Sequence, residues 1–336
     1  MNLAYFETEA EEQKKLKSAF PNYRLTVLPD ELNEETVDAA HDAELLSVFV
    51  NSKVTAKVIE EMPNLRFIST RSTGFDHIDL EACAKRNVLV ANVPTYGENT
   101  VAEHSFALIL ALSRKIFQSY ERTERMDFDR DGLQGFDLLG KTLGVVGTGN
   151  IGKHVIRIGN GFSMNVIAFD VKRDPKLAEE LNFTYANSVN ELLSQSDVIT
   201  LHVPYLPATH HLINKDNIND IKIGAILINT ARGALVDTEA LLMALDRKIL
   251  SGAGLDVIEG ENDTYELAEL LNKGTPKNED ITTVLRNHVL IAREDVIITP
   301  HNAFNSSEAV QRIFDTNACN IRAFVEGNPV NLVKKK

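Results

Sequence analysis

Three side chains late in the chain are of the types that act together on a small carbonyl acid: Arg232 in NTARG, Glu261 in EGE and His301 in PHNAF. An arginine fork can hold a carboxylate or polarise a carbonyl through two parallel hydrogen bonds. A histidine titrates near neutral pH and can give or take a hydroxyl proton. A carboxylate beside it fixes the imidazole tautomer and favours the charged form; Glu259, two positions before Glu261, is a rival of the same type. Upstream, Gly147, Gly149 and Gly152 form GTGNIG, and Asp170 follows Gly152 by eighteen positions. The first glycine suits a tight turn, the second a close approach to a pyrophosphate and the third close packing of helix on strand, while the acid suits a ribose 2′-hydroxyl. The chemistry this set would perform is hydride exchange with a nicotinamide dinucleotide, the protein supplying an anion binder and an acid/base.

These residues need strand ends to carry them. An apolar run at 143–146, the glycine turn, a helical pattern and a second apolar run at 166–169 read as strand, turn, helix, strand, with helix-start amides facing the anion. Asp170 selects NAD, although Lys172 and Arg173 just beyond it are of the type that holds a 2′-phosphate. Further strands are expected at 198–203, 225–229, 252–257 and 296–299, with a helix at 237–247. Those strands end in HVP, NTARG, DVIEGE and PHNAF, so every candidate falls at a carboxyl end, where ligands of open α/β sheets bind.

The front of the chain alternates in the same way. Strands are expected at 3–6, 24–28, 45–50, 65–70 and 88–91 and helices at 11–20, 34–40, 55–62 and 80–86, a second doubly wound parallel sheet without a glycine fingerprint. It should hold something other than the dinucleotide. Backbone amides around Thr73 and Gly74 could receive a substrate carboxylate, with Tyr96 beside it; ordinary turns are the plainer reading. TVAE at 100–103 has the form of a capping box opening one long helix toward Met126, and the domain boundary is placed near its start. That helix would cross between domains and pack on a partner subunit, or be buried within the chain.

At 336 residues the chain is long enough for about two domains. A net charge of −13, with no basic cluster except Lys334, Lys335 and Lys336, argues against nucleic acid and against an anionic membrane. Cys83 and Cys319 stand alone without ligand-spaced neighbours, so no metal is expected and a reducing compartment is. The N-terminus turns acidic at once and the longest apolar run, 106–112, is too short to span a bilayer; a cytoplasmic protein is expected.

TLGVVGTGNIG, LHVPYLPATHHLIN, LINTARGALVD, GLDVIEGE and VIITPHNAF, with RSTGFDHID and VPTYGENTVAEHSFALIL, together resemble the NAD-dependent D-isomer-specific 2-hydroxyacid dehydrogenases over nearly the whole chain. Tyr96 and Phe304 resemble the D-lactate dehydrogenase branch. The resemblance implies a discontinuous flavodoxin-like substrate domain, residues 1–99 and 300–336, and a Rossmann NAD-binding domain, residues 100–299. It implies that Arg232 binds the substrate's oxo and carboxylate oxygens, that Glu261, five positions after Asp256, pairs with His301, and that His301 donates the proton in reducing pyruvate to D-lactate. Thr73, Gly74, Tyr96 and Phe304 would seat the substrate. Asn150 and Ile151 would meet the pyrophosphate, Val203, Pro204 and Thr209 the adenosine half, and Thr230, Ala231 and Asp256 the nicotinamide half. A homodimer through the long helix is implied as well. Residues 262–295 are longer than the family pattern, with helical pieces at 265–271 and 281–291, and read as a lid or as an exposed excursion. Two further readings share these residues: a dehydrogenase for glyoxylate, hydroxypyruvate or a branched 2-oxo acid, and an NAD(H)-sensing corepressor-like binding protein.

Overall fold

A computed structural model describes residues 1–8, 10–261 and 278–333. The chain divides into two compact units, 1–96 with 306–336, and 97–305.

The first unit is a five-stranded parallel sheet of β1 (Asn2–Tyr5), β2 (Arg24–Val27), β3 (Leu45–Val48), β4 (Phe67–Thr70) and β5 (Leu89–Ala91) in the order β2-β1-β3-β4-β5. This is the doubly wound order of flavodoxin-like folds. Alternation along β1 shows how both faces are covered: Ala4 packs in one cluster with Val58 and Ile59, while Leu3 and Tyr5 pack in the other with Leu16, Phe20, Ala318 and Ile321. The helix Ser307–Val325 belongs to this unit. Phe324 stacks on Phe67 at 4.4 Å, and Asn317, 1 % exposed, donates to Ser47 Oγ at 3.1 Å. Phe67, fully buried, contributes about 1.5–3 kcal/mol.

The second unit is a seven-stranded parallel sheet of β6 (Thr142–Val146), β7 (Asn165–Phe169), β8 (Thr184–Tyr185), β9 (Val198–Leu201), β10 (Ala225–Asn229), β11 (Leu250–Leu255) and β12 (Val296–Ile298). Its order, β12-β11-β10-β9-β6-β7-β8, reverses direction between β9 and β6, the switch point at which doubly wound sheets bind dinucleotides. The strand Thr184–Tyr185 and the helices Pro175–Glu180 and Val189–Gln195 were not among the expected elements. They are too short to leave a clear period.

Three expectations are corrected. The helix foreseen from Thr100 toward Met126 is two helices, Glu98–Ser113 and Ile116–Glu124, broken where Lys115 takes a left-handed φ of 53°. Its start is at Gly97 with no side-chain cap, so Thr100 lies inside the helix and the capping box does not form. The helix expected at 34–40 is a single 3-10 turn, Val37–Ala40, because Asn33 and Thr36 side chains bond the local backbone and compete with α geometry. Of the two pieces expected in 262–295, the second is the helix Asn278–Ile291, and the first, 265–271, lies outside the described residues.

Candidate active site

Strand register sets the site. Phe169, Val146, Leu201, Asn229, Leu255 and Ile298 are paired neighbours across the seven-stranded sheet. The residue after each is therefore level with the next: Asp170, Gly147, His202, Thr230, Asp256 and Thr299 form one row along the carboxyl edge. One row thus links the glycine turn to the histidine segment.

At the switch point Gly147 has φ 100°, and a Cβ there would stand 2.6 Å from the His202 carbonyl oxygen. Only glycine tolerates both conditions. At Gly152 a Cβ would stand 2.0 Å from the Gly147 oxygen, so helix and turn lie in direct contact. Gly149, by contrast, opens the helix Asn150–Gly161 with nothing within 4 Å of an added Cβ and no side-chain cap. The first-turn amides of Asn150, Ile151 and Gly152 have no acceptor within the helix. An open cradle of amides fits a dinucleotide pyrophosphate. Asp170 Oδ2 accepts from Thr148 N at 2.8 Å and Oγ1 at 3.1 Å, which ties the acid to the turn; Arg173 is committed to the Ala186 carbonyl at 2.9 Å. Beyond β9, Thr209 Oγ1 donates to the Pro204 carbonyl at 2.8 Å, closing the loop that begins at Val203. Thr230 Oγ1 pairs with Ser105 Oγ at 3.0 Å.

Arg232 is placed by Asn229. That side chain, on a residue 1 % exposed, accepts from Ala231 N at 3.1 Å and donates to the Arg232 carbonyl at 2.8 Å, folding the turn that presents the guanidinium. Arg232 Nη1 donates to the Ala231 carbonyl at 2.7 Å. A Cβ at Gly233 would stand 2.0 Å from the Ile258 carbonyl oxygen, so this turn lies flat against the segment leading to Glu261.

Asp256 organises the histidine. Its carboxylate, on a residue 1 % exposed, accepts from Asn302 N at 3.0 Å, Ala303 N at 2.9 Å and Thr299 Oγ1 at 2.5 Å. His301 N donates to the Asp256 carbonyl at 3.0 Å, and His301 itself has φ 50°. A left-handed non-glycine residue costs on the order of 1–2 kcal/mol and persists because its surroundings over-determine it. His301 Nδ1 stands 3.3 Å from Glu261 Oε1, both side chains being partly buried. Of the two acids, Glu261 is thus the one beside His301; Glu259 turns to His211 at 2.6 Å and Thr238 Oγ1 at 2.9 Å. Phe304, half-buried, follows in the same turn.

In the first unit the segment after β4 is laced down by Thr73 Oγ1 on the Val93 carbonyl at 2.9 Å and by Ser72 Oγ on the Gly74 carbonyl at 2.6 Å. No backbone acceptor among the described residues takes the amides of Thr73 or Gly74. The Tyr96 carbonyl accepts from Arg312 Nε at 2.5 Å. Arg71 at the head of this segment is structural: 4 % exposed, it donates to the carbonyls of Phe6 at 2.8 Å and Glu7 at 2.6 Å and lies over the Tyr5 ring.

Sequence reasoning missed His104 and Thr299. His104 Nε2 meets Thr299 Oγ1 at 3.0 Å and Asp256 Oδ1 at 3.5 Å, extending the buried network from the end of β12 to a helix almost two hundred positions away in sequence. No local pattern announces such a contact. His202 is a further case: Nε2 pairs with Thr200 Oγ1 at 2.8 Å, Nδ1 is shut from solvent without a partner, and burial pushes its pKa down to about 3. It is neutral at physiological pH. Among the described residues no cluster of three His, Cys, Asp or Glu could hold a metal, and no helix is long and apolar enough to cross a membrane.

Comparison with known proteins agrees with this geometry. Residues 106–303 match the family model for the D-isomer specific 2-hydroxyacid dehydrogenase, NAD binding domain. A 2-hydroxyacid dehydrogenase homolog of Haemophilus influenzae is 36% identical over 331 residues, 97% of each chain. The D-lactate dehydrogenase of Escherichia coli is 34% identical over 331 residues, 97% of this chain and 98% of that one. Among solved structures, the D-lactate dehydrogenase of Aquifex aeolicus complexed with NAD and lactic acid superposes with a TM-score of 0.89 at 37% identity, covering all of both chains. The open cradle at Gly149, the acid at Asp170 and these matches agree on the cofactor, NAD. The chain belongs to the D-isomer specific 2-hydroxyacid dehydrogenase family, an oxidoreductase built of two parallel-sheet α/β domains, one of them a Rossmann NAD-binding domain.

Proposed function

We propose that the protein reduces a small 2-oxo acid to the D-2-hydroxy acid, with pyruvate to D-lactate as the principal reaction. The observation that carries this reading is the pairing of His301 with Glu261 on the carboxyl edge that also bears Arg232 and the glycine turn. The choice of pyruvate is supported by likeness to a D-lactate dehydrogenase whose structure holds NAD and lactic acid.

Bound NADH supplies the hydride. Arg232 holds the oxo and carboxylate oxygens, and its fork polarises the carbonyl toward a developing alkoxide. His301 delivers a proton from Nε2, which bonds to nothing among the described residues, while Glu261 on Nδ1 holds the tautomer and balances the imidazolium. Asp256 holds the histidine turn, and Thr230 and Ala231 line the nicotinamide half. Asn150 and Ile151 receive the pyrophosphate, Asp170 the ribose, and Val203, Pro204 and Thr209 the adenosine. Thr73 and Gly74, with Tyr96 and Phe304, bind the substrate. Exposed Ile116, Phe117, Tyr120 and Phe128 favour a homodimer through the Ile116–Glu124 helix, and the free Cys83 and Cys319 favour a reducing compartment, the cytoplasm.

Steady-state turnover with NADH and NADPH across pyruvate, glyoxylate, hydroxypyruvate and a branched 2-oxo acid tests this reading. The highest kcat/KM is expected for pyruvate with NADH, with D-lactate as product. A higher value for another acid would replace the substrate, and no oxidation of NADH with any acid would overturn the enzyme reading.

A further inference from the structure

Between β11 and Glu261 the chain is held at more points than its length requires. Glu259 Oε1 meets His211 Nε2 at 2.6 Å, and its Oε2 accepts from Thr238 Oγ1 at 2.9 Å. The Glu259 carbonyl accepts from Asn287 Nδ2 at 2.7 Å, and Asn287, on the helix Asn278–Ile291, is fully buried. Beneath it the strap presses on Gly233, leaving no room for a Cβ. His211 is itself anchored: its N donates to the Ala234 carbonyl at 2.9 Å and its carbonyl accepts from Asn214 Nδ2 at 2.8 Å. Gly260, at φ 62°, then turns the backbone between the two acids, so that Glu259 goes to His211 and Glu261 to His301.

We propose that Glu259 is a positioning residue: its carboxylate, clamped between His211 and Thr238, fixes the Ile258–Glu261 strap on the Arg232 turn and so sets Glu261 against His301. A carboxylate one residue beyond a glycine has no geometry of its own, since glycine gives the backbone its greatest freedom. Fixing Glu259 on both oxygens and on its carbonyl removes that freedom from one side. The same clamp joins the turn bearing Arg232 to the strap bearing Glu261, because Thr238 begins the helix that follows Arg232. Asn287 extends the linkage to the Asn278–Ile291 helix.

The proposal rests on the acid/base reading of His301 and Glu261, and a double-mutant cycle separates the two. Glu259→Ala, Glu259→Gln, Glu261→Gln and the double variant Glu259→Ala/Glu261→Gln are compared for thermal unfolding, NADH affinity, kcat and its pH profile. Glu259→Ala is expected to lower kcat on the order of tenfold with NADH affinity within about twofold, since a small misplacement of an acid/base set costs rate more than binding. Its pH profile should move in the same direction as that of Glu261→Gln. In the double variant, the loss should be no greater than for Glu261→Gln alone. Glu259→Gln keeps the shape and an acceptor for Thr238, and should fall between wild type and Glu259→Ala. Multiplying losses with an unmoved pH profile would mean that Glu259 is a general structural residue, and would overturn the proposal; so would an unchanged kcat in Glu259→Ala. If the wild type reduces none of the acids, the function reading fails by itself. The positioning claim is then read from the imidazole resonances of His301 in labelled protein. Both Glu259→Ala and Glu261→Gln should displace them, and a wild-type spectrum in Glu259→Ala would refute it.

Discussion

Glu261 Oε1 lies 3.3 Å from Nδ1 of His301, on a histidine whose backbone is held at φ 50° by bonds to Asp256. Nδ1 is thereby occupied, and in the proposed reaction Nε2 is the proton-exchanging atom. His301→Gln is expected to lower kcat by roughly 10²- to 10⁴-fold, the usual loss on removing a general acid. The dissociation constant for NADH, read by fluorescence titration, should stay within about twofold of wild type. A variant with full turnover would remove His301 from the reaction.

Arg232 tests geometry against charge. Arg232→Lys keeps the positive charge but loses the planar fork, and an ammonium cannot hold two oxygens in parallel. The loss of one charge-assisted hydrogen bond predicts a fall in kcat/KM for the oxo acid of roughly 10- to 100-fold. NADH affinity is the internal control, and a matching fall there would show that the turn itself had been disturbed.

Two glycines of one motif should fail in opposite ways. Gly147→Ala places a methyl 2.6 Å from a carbonyl oxygen at φ 100°, so thermal unfolding should show a loss of about 1–3 kcal/mol or more. Gly149→Ala has φ −68° and open space around its Cβ, so stability should change by less than about 0.5 kcal/mol. NADH affinity should nonetheless drop by about tenfold or more, because the methyl would occupy the cradle proposed to receive the pyrophosphate. Equal affinity in Gly149→Ala and wild type would show that the dinucleotide does not approach there.

His202 makes a prediction about acid stability. Burial lowers its pKa from 6.5 to about 3, so below pH 6.5 the unfolded chain binds a proton that the folded chain refuses. Its contribution is therefore complete above pH 6.5 and is lost as pH falls from 6.5 toward 3, with a slope approaching about 1.4 kcal/mol per pH unit. Urea unfolding of wild type and His202→Gln between pH 7.5 and 5 isolates this histidine from the carboxylates. The gap in stability between the two proteins should shift in favour of the variant as pH falls, and parallel curves would show that His202 is protonated in the folded state.

Much of this was legible in the sequence because it is local. The glycine spacing, the acid after the second strand and the placement of Arg232 and His301 at strand ends depend on short-range backbone chemistry, and adjacent residues carry it. Composition and periodicity likewise sufficed for two parallel α/β sheets. Other features were decided only by tertiary structure. Glu259 and Glu261 are the same residue type two positions apart, and what separates them is a left-handed glycine together with His211, Thr238 and Asn287, which arrive from three other segments. The break at Lys115, the Asp256 network with His104 and Thr299, and the neutral state of His202 have the same origin. Side-chain type and spacing define what a residue can do; which partner it meets depends on contacts between segments far apart in the chain, and those exist only once the sheet has set their register.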